Sequence, residues 1–284
     1  MNLSGDWFTE VNKDGRSAFS LEVKSKLHEE QTEFQHIEIY KTEGFGNLMV
    51  IDGFVMLTDR DNFIYHEMIT HPVLFTHPDP KRVLIIGGGD CGTLREVLKH
   101  PGVESVQQIE IDERVTRLAE QYFPELCDSN GDSRAELMFI DGIKWVADAS
   151  DQSYDVIIID STDPIGPAEG LFSKPFYQQC HRILGENGLI VQQSESPLFH
   201  MKLLKEMYQA FEQSGFQSVN TAFFPQCSYP SGWWSTTMAC KDKPVSSFRE
   251  EDAANKSFAT HYYNAALHRG ALAAPEFFYK EINS

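Results

Sequence analysis

Residues 83–92 read VLIIGGGDCG. A continuous apolar run ends in glycines, and a helical pattern, LREVLKH at 94–100, follows it. Gly87, Gly89 and Gly92 fit the spacing G-x-G-x-x-G in the strand–turn–helix context that gives the spacing meaning. Glycine lets the backbone turn sharply and approach a ligand closely. About twenty residues further on, the next strand pattern, SVQQIEI (105–111), carries Glu110 near its end. A carboxylate there can accept both hydroxyl hydrogens of an adenosine ribose. A glycine-rich turn and a surface acid would each be ordinary alone. Together, in this order, they predict a nucleoside site without saying which nucleoside.

Working outward, strand and helix patterns alternate. ELMFI (136–140), DVIII (155–159) and GLIVQQ (188–193) read as further strands. Helical patterns lie at ERVTRLAEQYF, GIKWVADA, FSKPFYQQCHRIL and FHMKLLKEMYQAF. Continuous apolar strands alternating with amphipathic helices predict a parallel sheet covered on both faces. Its ligands would bind beyond the carboxyl ends of the strands. The pattern changes near residue 75, and before it SAFSLEVKSKL, FQHIEIYKT, NLMVI and VMLT are short β-like runs. Asp52-Gly53 between the last two is a hairpin signal. Asp61 is then positioned to cap a helix through NFIYHEMITHPVLF. The expected fold is α/β, a Rossmann-like methyltransferase-type parallel-core sheet with a small N-terminal antiparallel β domain. The division is residues 1–60 for the β domain and 61–284 for the catalytic domain.

Three acidic positions at predicted strand ends refine the chemistry. Asp90 stands inside the glycine loop. In a dinucleotide site the helix N-terminus there would receive a pyrophosphate. A carboxylate would repel it, and would repel the carboxylate of S-adenosylmethionine, but would attract a ligand tail ending in an ammonium. Helix capping is the alternative account of Asp90. Asp141-Gly142 ends the strand at 136–140, where an acid and a backbone amide suit the adenine amino group and ring nitrogen; capping is an equal account of Asp141. DVIII ends in Asp160-Ser161-Thr162-Asp163, followed by Pro164-Ile165-Gly166-Pro167. Two carboxylates held so close are unfavourable until a cation lies between them. A diamine must have one ammonium held and a proton taken from its other nitrogen before that nitrogen can attack carbon, and paired carboxylates suit both tasks.

Composition narrows the field. A net charge of −18 repels nucleic acid and suits a polycationic partner. No apolar run approaches the roughly 18 residues of a membrane span. The N-terminus MNLSGDWFTEVNKDG lacks the basic-then-apolar pattern of a secretory signal. Cys91, Cys127, Cys180, Cys227 and Cys240 are odd in number and never in a CxxC pair, which fits a reducing cytoplasm without a disulfide framework or zinc site. No metal cluster is expected.

GGGDCG, QIEIDE, the DG at 141–142 and DSTDPIGPAEGLF, with FIYHEM (63–68) and YPSGWW (229–234), resemble in kind and order the motif set of the spermidine synthase (polyamine aminopropyltransferase) family. The resemblance spans nearly the whole chain. It implies transfer of an aminopropyl group from decarboxylated S-adenosylmethionine, a co-substrate rather than a cofactor, to putrescine, giving spermidine and 5′-methylthioadenosine. It implies that Asp160 is the proton acceptor and that Asp163, with Ser161 and Thr162 between them, helps hold the polyamine. On the donor side it implies Gly87 and Gly89 in the loop, Asp90 on the aminopropyl ammonium, Glu110 on the ribose, Asp141 and Gly142 on adenine, Gln35 from the β domain and Pro167 as a pocket wall. Tyr65, His66, Gln193 and Tyr229 are similar to acceptor-lining residues. A cytoplasmic homodimer is expected. Position 91 departs from the family's loop, GGGDGG or GGGDGA, by carrying cysteine. An S-adenosylmethionine-dependent methyltransferase of the same fold is the nearest rival; an NAD-dependent dehydrogenase and a silent polyamine-binding protein stand further off.

Overall fold

In the central strands, alternate residues meet alternate helix layers. The computed structural model describes residues 5–13, 15–163, 166–245 and 247–284. Five strands come first: β1 (Trp7–Asn12), β2 (Ser17–Gln31), β3 (His36–Thr42), β4 (Asn47–Ile51) and β5 (Phe54–Thr58). They form one antiparallel sheet in sequence order. Asp52 (φ 51°) and Gly53 (φ 87°) both take left-handed backbone, the requirement of the two-residue turn that an Asp-Gly pair signals.

The second sheet joins β6 (Arg82–Gly87), β7 (Ser105–Glu110), β8 (Ala135–Phe139), β9 (Tyr154–Asp160), β10 (Leu184–Gln193), β11 (Ser218–Pro225) and β12 (Trp233–Cys240). Their order is β11-β12-β10-β9-β6-β7-β8. From β10 through β8 the pairing is parallel; β12 and β11 add an antiparallel edge. Val83, Ile85, Val156, Ile158, Leu189 and Val191 point to a layer containing α1 (Asn62–Thr76) and α2 (Gly92–Leu98). Leu84, Ile86, Ile157, Ile159 and Ile190 point the other way. There they meet α4 (Gly142–Asp148), α5 (Lys174–Ile183) and α6 (Met201–Gln213). Helix α3 (Glu113–Tyr122) turns Val115, Leu118 and Ala119 onto Ile37, Ile39, Met49 and Ile51 of the N-terminal sheet. The two sheets therefore share a buried seam, and the cleft described below opens beside it.

The parallel core and both helix layers agree with the sequence expectation. Strands β1, β11 and β12 and the short C-terminal helices α7 (Glu250–Ala254), α8 (Ala265–Ala271) and α9 (Glu276–Ile282) were not expected. Strand β12, WWSTTMAC, is buried from Trp234 to Cys240, so it lacks the polar alternation that marks a half-buried strand. Its hydroxyls pair internally, Ser235 with Ser194 at 2.9 Å and Thr237 with Thr221 at 3.0 Å. The C-terminal segment is pinned by buried Glu67 on α1, which accepts the backbone N–H groups of His261, Tyr262 and Tyr263. Asp61 corrects one expectation. It occupies the N-cap position of α1 without a side-chain bond to the helix; its carboxylate instead accepts from the Thr58 hydroxyl and the Ser228 N–H, tying β5 to the loop before β12. No described helix is long and apolar enough to cross a membrane.

Candidate active site

Strand β6 ends where β9 ends, and that junction organises the site. Gly87 has φ 82°, and a Cβ on it would stand 2.2 Å from the Asp160 carbonyl oxygen, so only glycine lets the two strand ends meet. The Gly88 N–H donates to that same oxygen at 2.7 Å. Asp160 itself receives two short hydrogen bonds, from the Tyr65 hydroxyl on α1 and from the Thr93 hydroxyl on α2, both 2.6 Å. Burial pushes its carboxyl above the ordinary range and the nearby Asp90 charge adds to this; His66, Thr93 and Tyr65 oppose it without prevailing.

One strand over, Glu110 lies buried against the loop, and a Cβ on Gly89 would stand 2.9 Å from its Oε2. Its Oε1 accepts the Asp112 N–H at 2.8 Å. Burial raises the Glu110 carboxyl to about 7; the Asp112 N–H bond opposes this and the Asp112 charge adds to it. Asp112 caps α3 through Arg114 N–H. Its other oxygen accepts from the Thr32 hydroxyl at 2.7 Å and the Gln35 amide at 3.0 Å; Arg114 pairs with Glu30 beside them. Gln35 thus lines the cleft while held by the residue two beyond Glu110. At the end of β8, Asp141 caps α4, accepting from Ile143 and Lys144 N–H, and also lines the cleft. Capping and lining are both true of it.

Asp90 accepts the Gly92 N–H at 2.7 Å and is paired with His66, whose Nε2 lies 3.2 Å from Oδ1. Burial would lift the Asp90 carboxyl, but the His66 charge and these hydrogen bonds hold it below the usual range. Burial would lower His66, and Asp90 outweighs that and raises it. His66 lies beside Tyr65, its ring edge-on at 5.7 Å, and under the glycine loop, where a Cβ on Gly92 would meet its ring at 2.2 Å. Its contact with the site runs through Asp90.

Cys91 takes left-handed backbone, φ 67°, a conformation that disfavours any side chain and explains glycine at the corresponding place in the family's loop. The contact with the Cys127 thiol, then burial, pushes the Cys91 thiol up. The lowered pKa that a helix N-terminus could have conferred is not what this environment produces.

The cleft continues past Asp160 between Tyr65, Ser161, Thr162, Asp163, Gln193, Tyr229 and Trp234, with Glu10 facing them from β1. The Tyr229 hydroxyl donates to the Met56 carbonyl at 2.5 Å, and its ring lies edge-on to Trp234 and Tyr65. Gln193 reaches the Thr162 carbonyl at 3.5 Å. Glu10 accepts the Val55 N–H at 2.8 Å; burial raises it to about 7 and Asp163 adds to the rise. The side chain of Pro167 lies outside the described residues. Glu10, Thr93, Asp112, Glu195 and Trp234 were not singled out from sequence; for Glu10, the available signal was an acid inside the short β-like run WFTE. Among the described residues, one group is spaced to hold a metal ion, Glu29, His36 and Glu38 on the β2–β3 hairpin, and Lys26 already bridges its two acids at 2.8 and 2.6 Å.

Acids thus follow four neighbouring strand ends, Asp90 after β6, Glu110 on β7, Asp141 after β8 and Asp160 on β9, around one cleft under a glycine turn. A doubly wound sheet with that site defines a class, the enzymes that transfer a group from a nucleoside-bearing donor. Comparison with known proteins gives the particular member of it. Residues 62–250 match the spermine/spermidine synthase domain and residues 6–59 the spermidine synthase tetramerisation domain. The polyamine aminopropyltransferase of Thioalkalivibrio sulfidiphilus is 67% identical over 99% of both chains. That of Methylococcus capsulatus is 65% identical over 96% of this chain and 95% of its own. A crystal structure of spermidine synthase in complex with the transition state analogue AdoDATO superposes with a TM-score of 0.94 at 35% identity, covering 100% of this chain and 98% of that one. Spermidine synthase from Thermotoga maritima gives 0.92, also at 35%, covering 100% and 96%. The chain belongs to the spermine/spermidine synthase family and is an aminopropyltransferase.

Proposed function

We propose that the chain transfers the aminopropyl group of decarboxylated S-adenosylmethionine to putrescine, forming spermidine and 5′-methylthioadenosine. The observation that carries this reading is the charge of the cleft. Its described lining includes the carboxylates of Glu10, Asp52, Asp90, Glu110, Asp141, Asp160 and Asp163 and no lysine, arginine or histidine. Such a site favours cationic ligands and disfavours any ligand that carries its own carboxylate or phosphate.

The donor's nucleoside lies along Gly87, Gly89, Glu110, Asp141, Gly142 and Pro167, with Gln35 closing from the N-terminal sheet. Glu110 accepts from the ribose hydroxyls. Asp90 takes the aminopropyl ammonium. Putrescine occupies the stretch from Tyr65 to Glu10, with Asp163, Gln193 and Tyr229 around it and Ser161 and Thr162 forming the floor. Asp160 lies between the two halves. Its raised carboxyl makes it a stronger base toward the near amine than an ordinary aspartate, which suits the task. The freed nitrogen attacks the aminopropyl carbon in line with the sulfonium. The C–S bond breaks, and its electron pair returns sulfur to a neutral thioether. No metal ion is needed, because the sulfonium is already a good leaving group and positioning supplies much of the rate.

Residues 1–60 act as the N-terminal β domain, matching an assembly module, and 61–284 as the catalytic domain, in a cytoplasmic homo-oligomer. The match of residues 6–59 to a tetramerisation domain favours a tetramer over the homodimer expected from sequence; light scattering separates two from four copies of the 32.3 kDa chain. The reaction is tested by supplying purified protein with either adenosyl donor and a panel of diamines, then identifying products by mass spectrometry. Spermidine and 5′-methylthioadenosine are expected from putrescine. Methylated putrescine with S-adenosylhomocysteine would make it a methyltransferase instead.

A further inference from the structure

Helices α1 and α2 each lend one hydroxyl to Asp160, and a buried pair of side chains on the same two helices takes no part in the reaction above. His71 on α1 and Glu96 on α2 are both fully buried, with His71 Nε2 3.2 Å from Glu96 Oε2. On the other side of the ring, His71 Nδ1 meets His100 Nε2 at 3.0 Å. A carboxylate only accepts, so the imidazole proton of His71 belongs on Nε2, facing Glu96, and Nδ1 accepts from His100. His71 Nε2 finds no partner other than Glu96 among the described residues. Glu96 Oε1 receives Arg95 at 3.0 Å and Lys99 at 2.9 Å, so the acid is fixed from its own helix before it reaches across to α1.

The surroundings of the pair are dry. The C-terminal segment lays Phe258 and Tyr263 against the His71 ring, with centroids at 5.3 and 5.0 Å, and is itself pinned by Glu67, one turn earlier on α1. Burial lowers His71, and Glu96 opposes this without prevailing, so the ring is neutral. Burial would lift the Glu96 carboxyl, but His71 and then Lys99 hold it at about 2. An ionised acid against a neutral N–H makes a charge-assisted contact, roughly twice as strong as a neutral one. Helix α2 has 7 residues, well short of the roughly 12 at which a helix begins to be stable alone. Its place is therefore decided by what it touches, and Thr93 lies one turn before Glu96 on it.

We propose that His71 is a positioning residue for the proton acceptor: through Glu96 it fixes α2 against α1, which keeps the Thr93 and Tyr65 hydroxyls on Asp160 at the same time. Those two hydroxyls decide which lone pairs of the carboxylate stay free, and so the line along which it meets the near amine. Misplacement by about 1 Å can cost 100-fold in rate, so a short helix that carries one of the two bonds needs a second anchor. The other link from α1 to the start of α2, His66 on Asp90, serves the donor side. Loosening the far turn should therefore cost proton transfer and spare donor affinity. This rests on the reading of Asp160 as the base.

The test is a mutant cycle read in kcat. His71→Phe fills the space but offers Glu96 no proton. His71→Gln offers an amide N–H toward Glu96 and a carbonyl oxygen toward His100. With donor and putrescine saturating, kcat should fall about 10-fold in His71→Phe and stay within about 3-fold of wild type in His71→Gln. Calorimetry should find unchanged affinity for 5′-methylthioadenosine in both, which also verifies that they are folded. In protein that already carries Tyr65→Phe and Thr93→Val, no hydroxyl is left to position, and adding His71→Phe should change kcat by less than about 2-fold. An equal fall in both backgrounds, no recovery in His71→Gln, or an unchanged kcat in His71→Phe overturns the proposal. Should His71→Phe not fold, Glu96→Gln, which keeps the shape and drops the charge, takes its place in the cycle with the same outcomes deciding. If Asp160→Asn leaves turnover intact, the reading of Asp160 as the base fails instead.

Discussion

The two ends of the cleft are built by different means. At the donor end each acid is tied to backbone a residue or two further along: Glu110 to Asp112 N–H, Asp141 to Ile143 N–H, Asp90 to Gly92 N–H, all within 2.7–2.8 Å. At the acceptor end the partners are remote. Asp160 is bonded by residues 67 and 95 positions away, and Glu10 by one 45 positions away. The donor acids are therefore oriented by their own turns. The acceptor acids are oriented only once α1, α2 and the N-terminal sheet have docked, so disturbances of packing should reach acceptor use and proton transfer before they reach donor affinity.

The largest break between the ends is expected from Asp160→Asn. Turnover should fall by roughly 100-fold or more, the scale of a lost general base, while 5′-methylthioadenosine binds within a few-fold of normal by calorimetry. A parallel collapse of nucleoside affinity would mean that the ends are not separable. The wild-type rate should climb from neutral to mildly alkaline pH as the amine deprotonates more readily, and an optimum below pH 6 would contradict the role given to Asp160.

Stability provides the next contrast. Glu110 and Glu10, one at each end, are both raised to about 7, whereas an unfolded glutamate titrates near 4.5. Between those values the folded protein keeps protons that the unfolded chain has lost. Empty protein should accordingly lose stability as pH rises from about 5 to 8, on the order of 2 kcal/mol after allowance for relaxation. Urea unfolding at several pH values measures it. Glu110→Gln should remove the donor-end share of that slope and leave the share from Glu10; an unchanged slope would show that burial of Glu110 is not the source.

Asp90→Asn should weaken the decarboxylated donor by about 10-fold and ordinary S-adenosylmethionine much less, or strengthen the latter. His66 already balances Asp90 in the empty site, so the selectivity depends on the pair and not on a bare charge. Equal losses for the two ligands in calorimetry would reduce Asp90 to a shaper of the loop. The smallest effect is expected from Tyr65→Phe, which deletes one of two bonds to Asp160. A loss of about 3- to 10-fold in kcat, the worth of a single hydrogen bond, should come with an acid limb of the rate profile moved to higher pH and donor affinity unchanged.

The same division governed what could be read from sequence. Asp90, Glu110, Asp141 and Asp160 were legible because each ends or follows a strand whose apolar run announces it, and strand ends of one parallel sheet open on one side. Tyr65, Gln193, Tyr229 and Gln35 were found through resemblance, since nothing local marks them. Glu10 was missed for a physical reason: it reaches the cleft only once β1 has joined the N-terminal sheet and its carboxylate has met Val55, far along the chain. The contact of His66 with Asp90 was not legible, because FIYHEM carries no information about which side of α1 faces the glycine loop. Strands β11 and β12 were unread because the hydroxyls of Thr221, Ser235 and Thr237 are satisfied inside the sheet, through one another and Ser194, which disguises a buried strand as a polar one.

Asp112 constrains how this molecule can change over evolutionary time. One carboxylate caps α3 and receives Thr32 and Gln35 from the neighbouring sheet, while its N–H anchors Glu110. Replacing it by asparagine would put an amide donor where the site needs an acceptor, so drift at position 112 demands simultaneous change at 32 and 35. A chimera that took its first sixty residues from a distant homologue would have to bring matched partners at positions 30, 32 and 35, or it would inherit an intact core with Asp112, and the Glu110 that it anchors, out of line.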